Sequence, residues 1–138
     1  MSRNIVLDTG VIVALINKKE DKHEWVKETL KSLSLPFLTC ESVITESCFL
    51  LQNVYDGEET VLNLLASQKI QIPFQLIEEA TEVKQLMAKY KSVPMSLADA
   101  CLVRMSELIE GSIIFTLDSD FYVYRQNKNQ SIPLTIPD

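Results

Sequence analysis

Glycine and proline are scarce in this chain, with three glycines and five prolines among 138 residues. This composition argues against a loop-rich, all-β or disordered protein. No apolar run approaches the roughly 18 residues that a membrane-spanning helix needs, and the N-terminus lacks the apolar stretch of a secretory signal. We therefore expect a cytoplasmic protein that does not engage membranes. The length fits a single domain, residues 1–138, with a core of its own.

Cysteine and histidine are also few, which limits the disulfides and zinc sites that the chain can form. Cys40, Cys48 and Cys101 are odd in number and lie far apart, so a disulfide framework is not expected. Together with His23 they make four potential zinc ligands, but no two have the close spacing typical of a zinc site. The favoured interpretation is that the thiols are free and buried.

Positive charge is the third shortage, because 13 Lys and Arg face 19 Asp and Glu, for a formal net charge of −6. Phosphate contacts need Lys and Arg on one face, so this balance does not favour binding to nucleic acid. An acidic protein can still bind phosphodiesters if metal ions cover its carboxylates and basic residues gather at the rim.

The sequence does contain short apolar runs that alternate with longer amphipathic stretches. The predicted strands are residues 5–7, 37–40, 70–74, 113–116 and 132–136. The predicted helices with defined bounds are 11–16, 41–54, 58–67, 78–90 and 96–109, followed by a helical turn at 121–125. A further helix is predicted to begin at a capping box formed by Asp21 and Glu24. In the helix 41–54, Leu50 is predicted to lie on the buried side. This alternation predicts an α/β fold in three layers, with helices on both faces of a parallel sheet.

Acidic residues interrupt the apolar pattern at four informative places. Asp8 directly follows the first strand, and Asp118 lies just past the fourth. Glu46 lies in the first half of an apolar helix, and Asp99 lies in the first turn of another. Each also has an ordinary structural interpretation. These are a helix cap for Asp8, a salt bridge for Glu46, a capping box of Ser96 with Asp99, and turn positions for Asp118 and Asp120.

The joint placement of the four acids is more informative than any one of them. If the first and fourth strands are neighbours, all four carboxylates can converge on one cleft at the carboxyl end of the sheet. Like charges at close range raise one another's pKa unless cations are present. Mg²⁺ and Mn²⁺ favour oxygen ligands and can polarise a phosphoryl oxygen. The pattern therefore indicates phosphodiester hydrolysis.

Four segments of the sequence surround these acids. They read Ile-Val-Leu-Asp-Thr-Gly-Val-Ile-Val-Ala-Leu, Ile-Thr-Glu-Ser, Met-Ser-Leu-Ala-Asp-Ala and Phe-Thr-Leu-Asp-Ser-Asp-Phe. In this order they resemble the acidic motifs of PIN domains, most of all small VapC-type toxins, over residues 5 to about 133. The resemblance implies a five-stranded parallel sheet and a homodimer. It also implies an endoribonuclease that uses Mg²⁺ or Mn²⁺, and a role as a toxin that an antitoxin protein inhibits.

The resemblance also assigns roles to individual residues. It implies that Asp8, Asp99 and Asp118 are metal ligands and that Glu46 holds a metal or its attacking water. Thr116 and Ser96 match hydroxyl residues that flank such sites, and Asp120 could replace or assist Asp118. For an RNA substrate the candidate contacts are Arg125, which follows two tyrosines, and Lys91.

Four alternatives compete with this interpretation. Asp8-Thr9-Gly10 is also the signature of aspartic proteases, but those need a glycine-rich β scaffold. A haloacid-dehalogenase-type phosphatase needs a second aspartate where Gly10 stands, and a receiver domain needs a lysine that residues 116–118 lack. The fourth is a non-catalytic PIN-like module that binds RNA or protein. The acidic charge favours it modestly, whereas the presence of all four acids counts against it.

Overall fold

Five short parallel strands make up the main sheet of the computed structural model, which describes residues 3–138. In chain order these strands are β1 (Ile5–Leu7), β2 (Phe37–Leu38), β3 (Ile70–Gln71), β4 (Ile113–Phe115) and, last, β7 (Leu134–Thr135). The order across the sheet is β3-β2-β1-β4-β7, and every neighbouring pair is parallel. The predicted five-stranded parallel sheet is therefore confirmed. Residues 1 and 2 of the predicted domain lie outside the described residues.

Six helices and a short turn connect and cover these strands. They are α1 (Thr9–Ile16), α2 (His23–Lys31), α3 (Glu41–Leu50), α4 (Gly57–Ala66), α5 (Leu76–Lys89), α6 (Leu97–Leu108) and a 3₁₀ turn at Ser119–Tyr122. Helix α1 packs against α2 and α3, and α5 packs against α6. No helix in the described range is long and apolar enough to cross a membrane.

The position of β1 at the centre of the sheet follows from its composition. All three of its side chains are buried, as expected for a parallel strand covered on both faces. In register, Ile5 lies beside Ile113 and Leu7 beside Phe115. The first and fourth predicted strands are therefore neighbours, and the residues that follow them, Asp8 and Thr116, leave the sheet at the same edge.

Several sequence-based details were wrong. The predicted capping box of Asp21 and Glu24 is absent, because Lys22 occupies the N-cap of α2 without a side-chain hydrogen bond. Helix α3 ends at Leu50 rather than at residue 54, and Leu50 is exposed instead of buried. A two-stranded antiparallel hairpin, β5 (Arg125–Gln126) with β6 (Gln130–Ser131), was not predicted.

The predicted burial of the thiols is correct for two of the three. All three cysteines are free, with Cys40 and Cys101 buried and Cys48 half-buried. The Nδ1 atom of His23 lies 2.7 Å from the carbonyl oxygen of Ala14, which ties the start of α2 to α1. His23 is thus a packing residue rather than a member of the acidic group.

Candidate active site

Asp8 both caps a helix and lies at the end of the central strand. Its Oδ1 accepts the Thr9 N–H at 2.7 Å, and its Oδ2 accepts the Thr116 hydroxyl at 2.6 Å. The side chain is 6 % exposed. Burial raises its pKa from 3.8 to about 6, and the charges of Asp99 and Asp118 add to that rise against the two hydrogen bonds. The cap interpretation is therefore correct, and the cap is also a carboxyl group with a high pKa.

Asp99 is held by three hydrogen bonds at the start of α6. Ser96 and Asp99 form the predicted capping box, in which Ser96 Oγ accepts the Asp99 N–H at 3.1 Å and Asp99 Oδ2 accepts the Ser96 N–H at 3.2 Å. The same Oδ2 accepts the hydroxyl of the fully buried Tyr124 at 3.2 Å. Burial, with a smaller contribution from Asp118, raises the Asp99 pKa against these hydrogen bonds.

Tyr124 remains a hydrogen-bond donor in this arrangement. Burial and the charge of Asp99 raise the pKa of its phenol, so the hydroxyl keeps its proton at neutral pH. Its ring packs edge-on against Tyr90 and Phe121 at centroid distances of 5.1 Å. The donor that faces Asp99 is therefore fixed by aromatic packing.

Asp118 follows β4 and caps the 3₁₀ turn. Its Oδ1 accepts the Asp120 N–H at 2.9 Å, while its own N–H donates to Thr116 Oγ1 at 3.0 Å. Because Thr116 also donates to Asp8, one buried hydroxyl connects the two acids that leave the sheet at this edge.

Glu46 reaches the same region from α3. Its side chain is exposed, and it forms no salt bridge with any residue in the range 3–138. The salt-bridge interpretation of Glu46 is therefore not supported. The cavity that Glu46 borders is lined by all four acids.

One cavity of about 470 Å³ joins these side chains. Its lining consists of Asp8, Thr9, Gly10, Glu46, Leu50, Asp99, Leu117, Asp118 and Ser119. Asp120 is not part of this lining, which separates it from Asp118. Thr9 contributes a buried hydroxyl: the residue is 3 % exposed, and its Oγ1 has no hydrogen-bond partner within residues 3–138. A buried polar atom of this kind favours a polar ligand in the cavity.

The cavity is suited to a cation by donor chemistry more than by spacing. Four carboxylates and a free hydroxyl are hard oxygen donors of the kind that Mg²⁺ and Mn²⁺ prefer. Among residues 3–138, however, no three His, Cys, Asp or Glu side chains stand close enough together to hold one ion. The acids line a shared cavity, and three of them face hydrogen-bond donors of their own rather than a single point.

The family of the chain follows from the sequence as a whole. The PIN domain family model matches residues 5–127, which include all four acids and the strands that position them. The chain belongs to the PIN domain family. The motif order that suggested a PIN domain is thus confirmed.

Two solved structures share this PIN fold at low sequence identity. The toxin VapC20 of Mycobacterium tuberculosis, described as cleaving the sarcin-ricin loop, superposes with a TM-score of 0.71 and 18 % identity over 87 % of this chain and 94 % of its own. VapBC2 of Rickettsia felis, bound to a DNA fragment from its promoter, gives a TM-score of 0.62 and 16 % identity over 97 % and 98 %. No curated protein sequence matches this chain.

The candidate RNA contacts lie away from the acid cavity of this PIN domain. The Arg125 guanidinium donates to the carbonyl oxygens of Tyr122 and Tyr124 and borders a separate cavity of about 330 Å³. Lys91 is exposed after α5 and is not part of the acid cavity lining.

Two residues of the cavity region were missed as site residues from the sequence. Thr9 was passed over although it follows Asp8 directly, and its position at the start of α1 could have indicated it. Tyr124 was considered only as a neighbour of Arg125. No sequence signal links it to Asp99, because 25 residues separate the two and only the folded chain brings them together.

Proposed function

We propose that this PIN domain is a metal-dependent endoribonuclease that hydrolyses RNA phosphodiester bonds. The observation that carries the proposal is the shared cavity lined by Asp8, Glu46, Asp99 and Asp118. Within residues 3–138 none of these four acids has a Lys, Arg or His partner. Unpaired carboxylates that gather in a cavity are costly for stability, which favours a functional reason for their presence.

In this proposal Asp8, Asp99 and Asp118 are metal ligands, and all four acids are catalytic residues. When bound, Mg²⁺ or Mn²⁺ would neutralise the carboxylates and polarise a phosphoryl oxygen. Glu46 is exposed at the mouth of the cavity, where its carboxylate can hold a metal or accept a proton from an attacking water. The unpartnered Thr9 hydroxyl can donate to a phosphoryl oxygen.

Three further residues act on the orientation of these acids. Thr116 donates to Asp8, and the Ser96 N–H donates to Asp99. Asp120 holds Asp118 through its backbone N–H, so we place its own carboxylate second to that of Asp118. These contacts keep the carboxylates in defined rotamers without occupying the cavity itself.

We further propose that the chain is the toxin of a toxin–antitoxin pair, with an antitoxin protein as partner. The two structural neighbours, a VapC toxin and a VapBC assembly, support this part of the proposal. A homodimer through the α3–α4 region remains a prediction. Exposed Tyr55 and Leu62 are apolar side chains that such an interface could cover.

The direct test is cleavage of a mixed RNA pool by the purified protein in Mn²⁺, in EDTA and after Asp99→Asn. We expect cleavage in Mn²⁺ only, and a loss of at least about 100-fold in the variant. Glu41→Gln is the matched control, because Glu41 is an exposed acid at the start of α3 that does not line the cavity. Circular dichroism and thermal melting establish that each variant is folded.

The same experiment separates the nuclease from a non-catalytic module that binds RNA or protein. The wide spacing of the acids is the observation that favours such a module. If the folded wild type cuts nothing with any divalent metal, the module is the better explanation. Cleavage that persists in Asp99→Asn would point to a contaminating nuclease or to a wrongly assigned acid.

A further inference from the structure

A second cavity adjoins the acid cavity, and Glu46 lies in the wall of both. We call it the side groove and define it by Thr45, Glu46 and Phe49 of α3 together with Ser96 and Leu97 at the start of α6. Its volume is about 580 Å³, within the range of cavities that accept small organic groups. A ligand in the side groove would therefore lie directly beside the four carboxylates.

Phe49 is the most unusual residue of the side groove. Its side chain is 66 % exposed and faces solvent in place of the core, and Leu97 beside it is 41 % exposed. Exposed aromatic rings next to polar groups are suited to stacking against nucleobases, which all have a π-face. An exposed ring of this kind can stack against a flat, uncharged base.

Apart from the Glu46 carboxylate, the polar side chains of the side groove are hydroxyls. Ser96 Oγ accepts a hydrogen bond from the Asp99 N–H. Within residues 3–138 the Ser96 hydroxyl donates no hydrogen bond. Thr45 is exposed on α3 and adds a second hydroxyl. In the part of the chain that the structure describes, no Lys or Arg lines the groove. These groups can bind ribose and base-edge oxygen or nitrogen atoms, but they cannot hold a phosphate by charge.

We propose that the side groove binds one unpaired nucleotide of a single-stranded RNA, with its base stacked on Phe49, next to the phosphate that enters the acid cavity. The inference rests on the proposed nuclease function, because Glu46 places the groove beside the cleavage site. The inference adds a base-stacking position at Phe49 to that function. A base inside a duplex has both faces covered by its neighbours and cannot stack there.

The test measures binding of a fluorescent, mixed-sequence RNA decamer to the Asp99→Asn protein and, in EDTA, to the wild type, so that no RNA is cut. We expect Phe49→Ala to weaken binding about tenfold and Phe49→Trp to restore it. The loss should be similar at low and high salt, because stacking is not screened by ions. Ile77→Ala is the control, since Ile77 is an 87 % exposed apolar residue on α5, outside the groove, and its loss should leave affinity unchanged.

The outcomes distinguish this inference from the proposed function. If Phe49→Ala and its parent bind RNA with equal affinity, the side-groove proposal is wrong. RNA cleavage by the wild type would still support the proposed nuclease function. A change of oligomeric state in Phe49→Ala without a change in RNA affinity assigns Phe49 to a protein interface, and it also overturns the groove. Folded protein that neither binds nor cuts RNA overturns both proposals.

Discussion

Two groups of acidic side chains in this molecule differ in how their negative charge is compensated. On α5 and α6, Glu79 and Glu107 bind Arg104 at 2.7 and 3.1 Å, and Glu107 also accepts the Asn127 N–H at 2.7 Å. Among residues 3–138, the donors that reach the carboxylates of the acid cavity are hydroxyl and N–H groups. The first group, which we call the Arg104 cluster, has its negative charge partly offset by a guanidinium of the same chain.

The difference indicates which acids have a structural task and which are available for chemistry. The Arg104 cluster ties α5, α6 and the β5–β6 hairpin together, and its charges are met by a guanidinium. In the cavity, burial raises the Asp8 pKa to about 6, because the desolvated site supports the carboxylate charge poorly. A bound cation would compensate the charge of the cavity carboxylates as Arg104 compensates that of Glu79 and Glu107.

The largest stability effect should come from removing the poorly supported charge. The Asp8 pKa of about 6 in the folded protein lies above its usual 3.8, so the folded state holds this proton more tightly than the unfolded chain. Its stabilising contribution is therefore complete below pH 4 and is lost as the pH rises through 6. Between pH 3 and 7 in EDTA, the unfolding free energy of the wild type should fall by about 3 kcal/mol relative to Asp8→Asn.

Chemical denaturation at a series of pH values measures this difference. The exposed Asp21→Asn is the control and should follow the wild type at every pH. Parallel curves for the wild type and Asp8→Asn would mean that the cavity supports the Asp8 charge after all, and the contrast with the Arg104 cluster would disappear.

A somewhat smaller effect on the unfolding free energy should follow when the ion pairs of the Arg104 cluster are broken. Arg104→Ala leaves Glu79 and Glu107 without their cation at sites that are largely shielded from solvent, which should cost about 2 kcal/mol of unfolding free energy. Lys31→Ala is the control, because its pair with Glu28 is exposed and should contribute less than about 0.5 kcal/mol.

RNA cleavage by Arg104→Ala should stay within about twofold of the wild type at a temperature where both are folded, since Arg104 does not line the acid cavity. A large loss of cleavage, or a stability cost no greater than that of Lys31→Ala, would show that the two acidic groups are not separate in function.

Much of the acid cavity could be predicted because its signals are local. Asp8 and Asp118 each follow an apolar strand, and parallel strands end at one edge of a sheet. The capping box of Ser96 and Asp99 spans four residues, so its chemistry is visible in the sequence.

What failed depended on contacts between distant parts of the chain or on details of the backbone. The bond from Tyr124 to Asp99 exists only after folding. The β5–β6 hairpin has positive φ angles at Asn127 and Lys128, and lysine gives no signal for such a turn. Leu50 suited a buried helix face, yet α3 ends there and leaves it at the edge of the acid cavity.

The central claim is that the unpaired carboxylates of the acid cavity bind a divalent cation, and calorimetric titration with Mn²⁺ tests it without reference to RNA. We expect saturable binding to the wild type, affinity at least tenfold weaker in Asp99→Asn, and unchanged affinity in Arg104→Ala. The opposite result is a wild type that binds no Mn²⁺ while folded, or one whose affinity survives Asp99→Asn; either would contradict the claim.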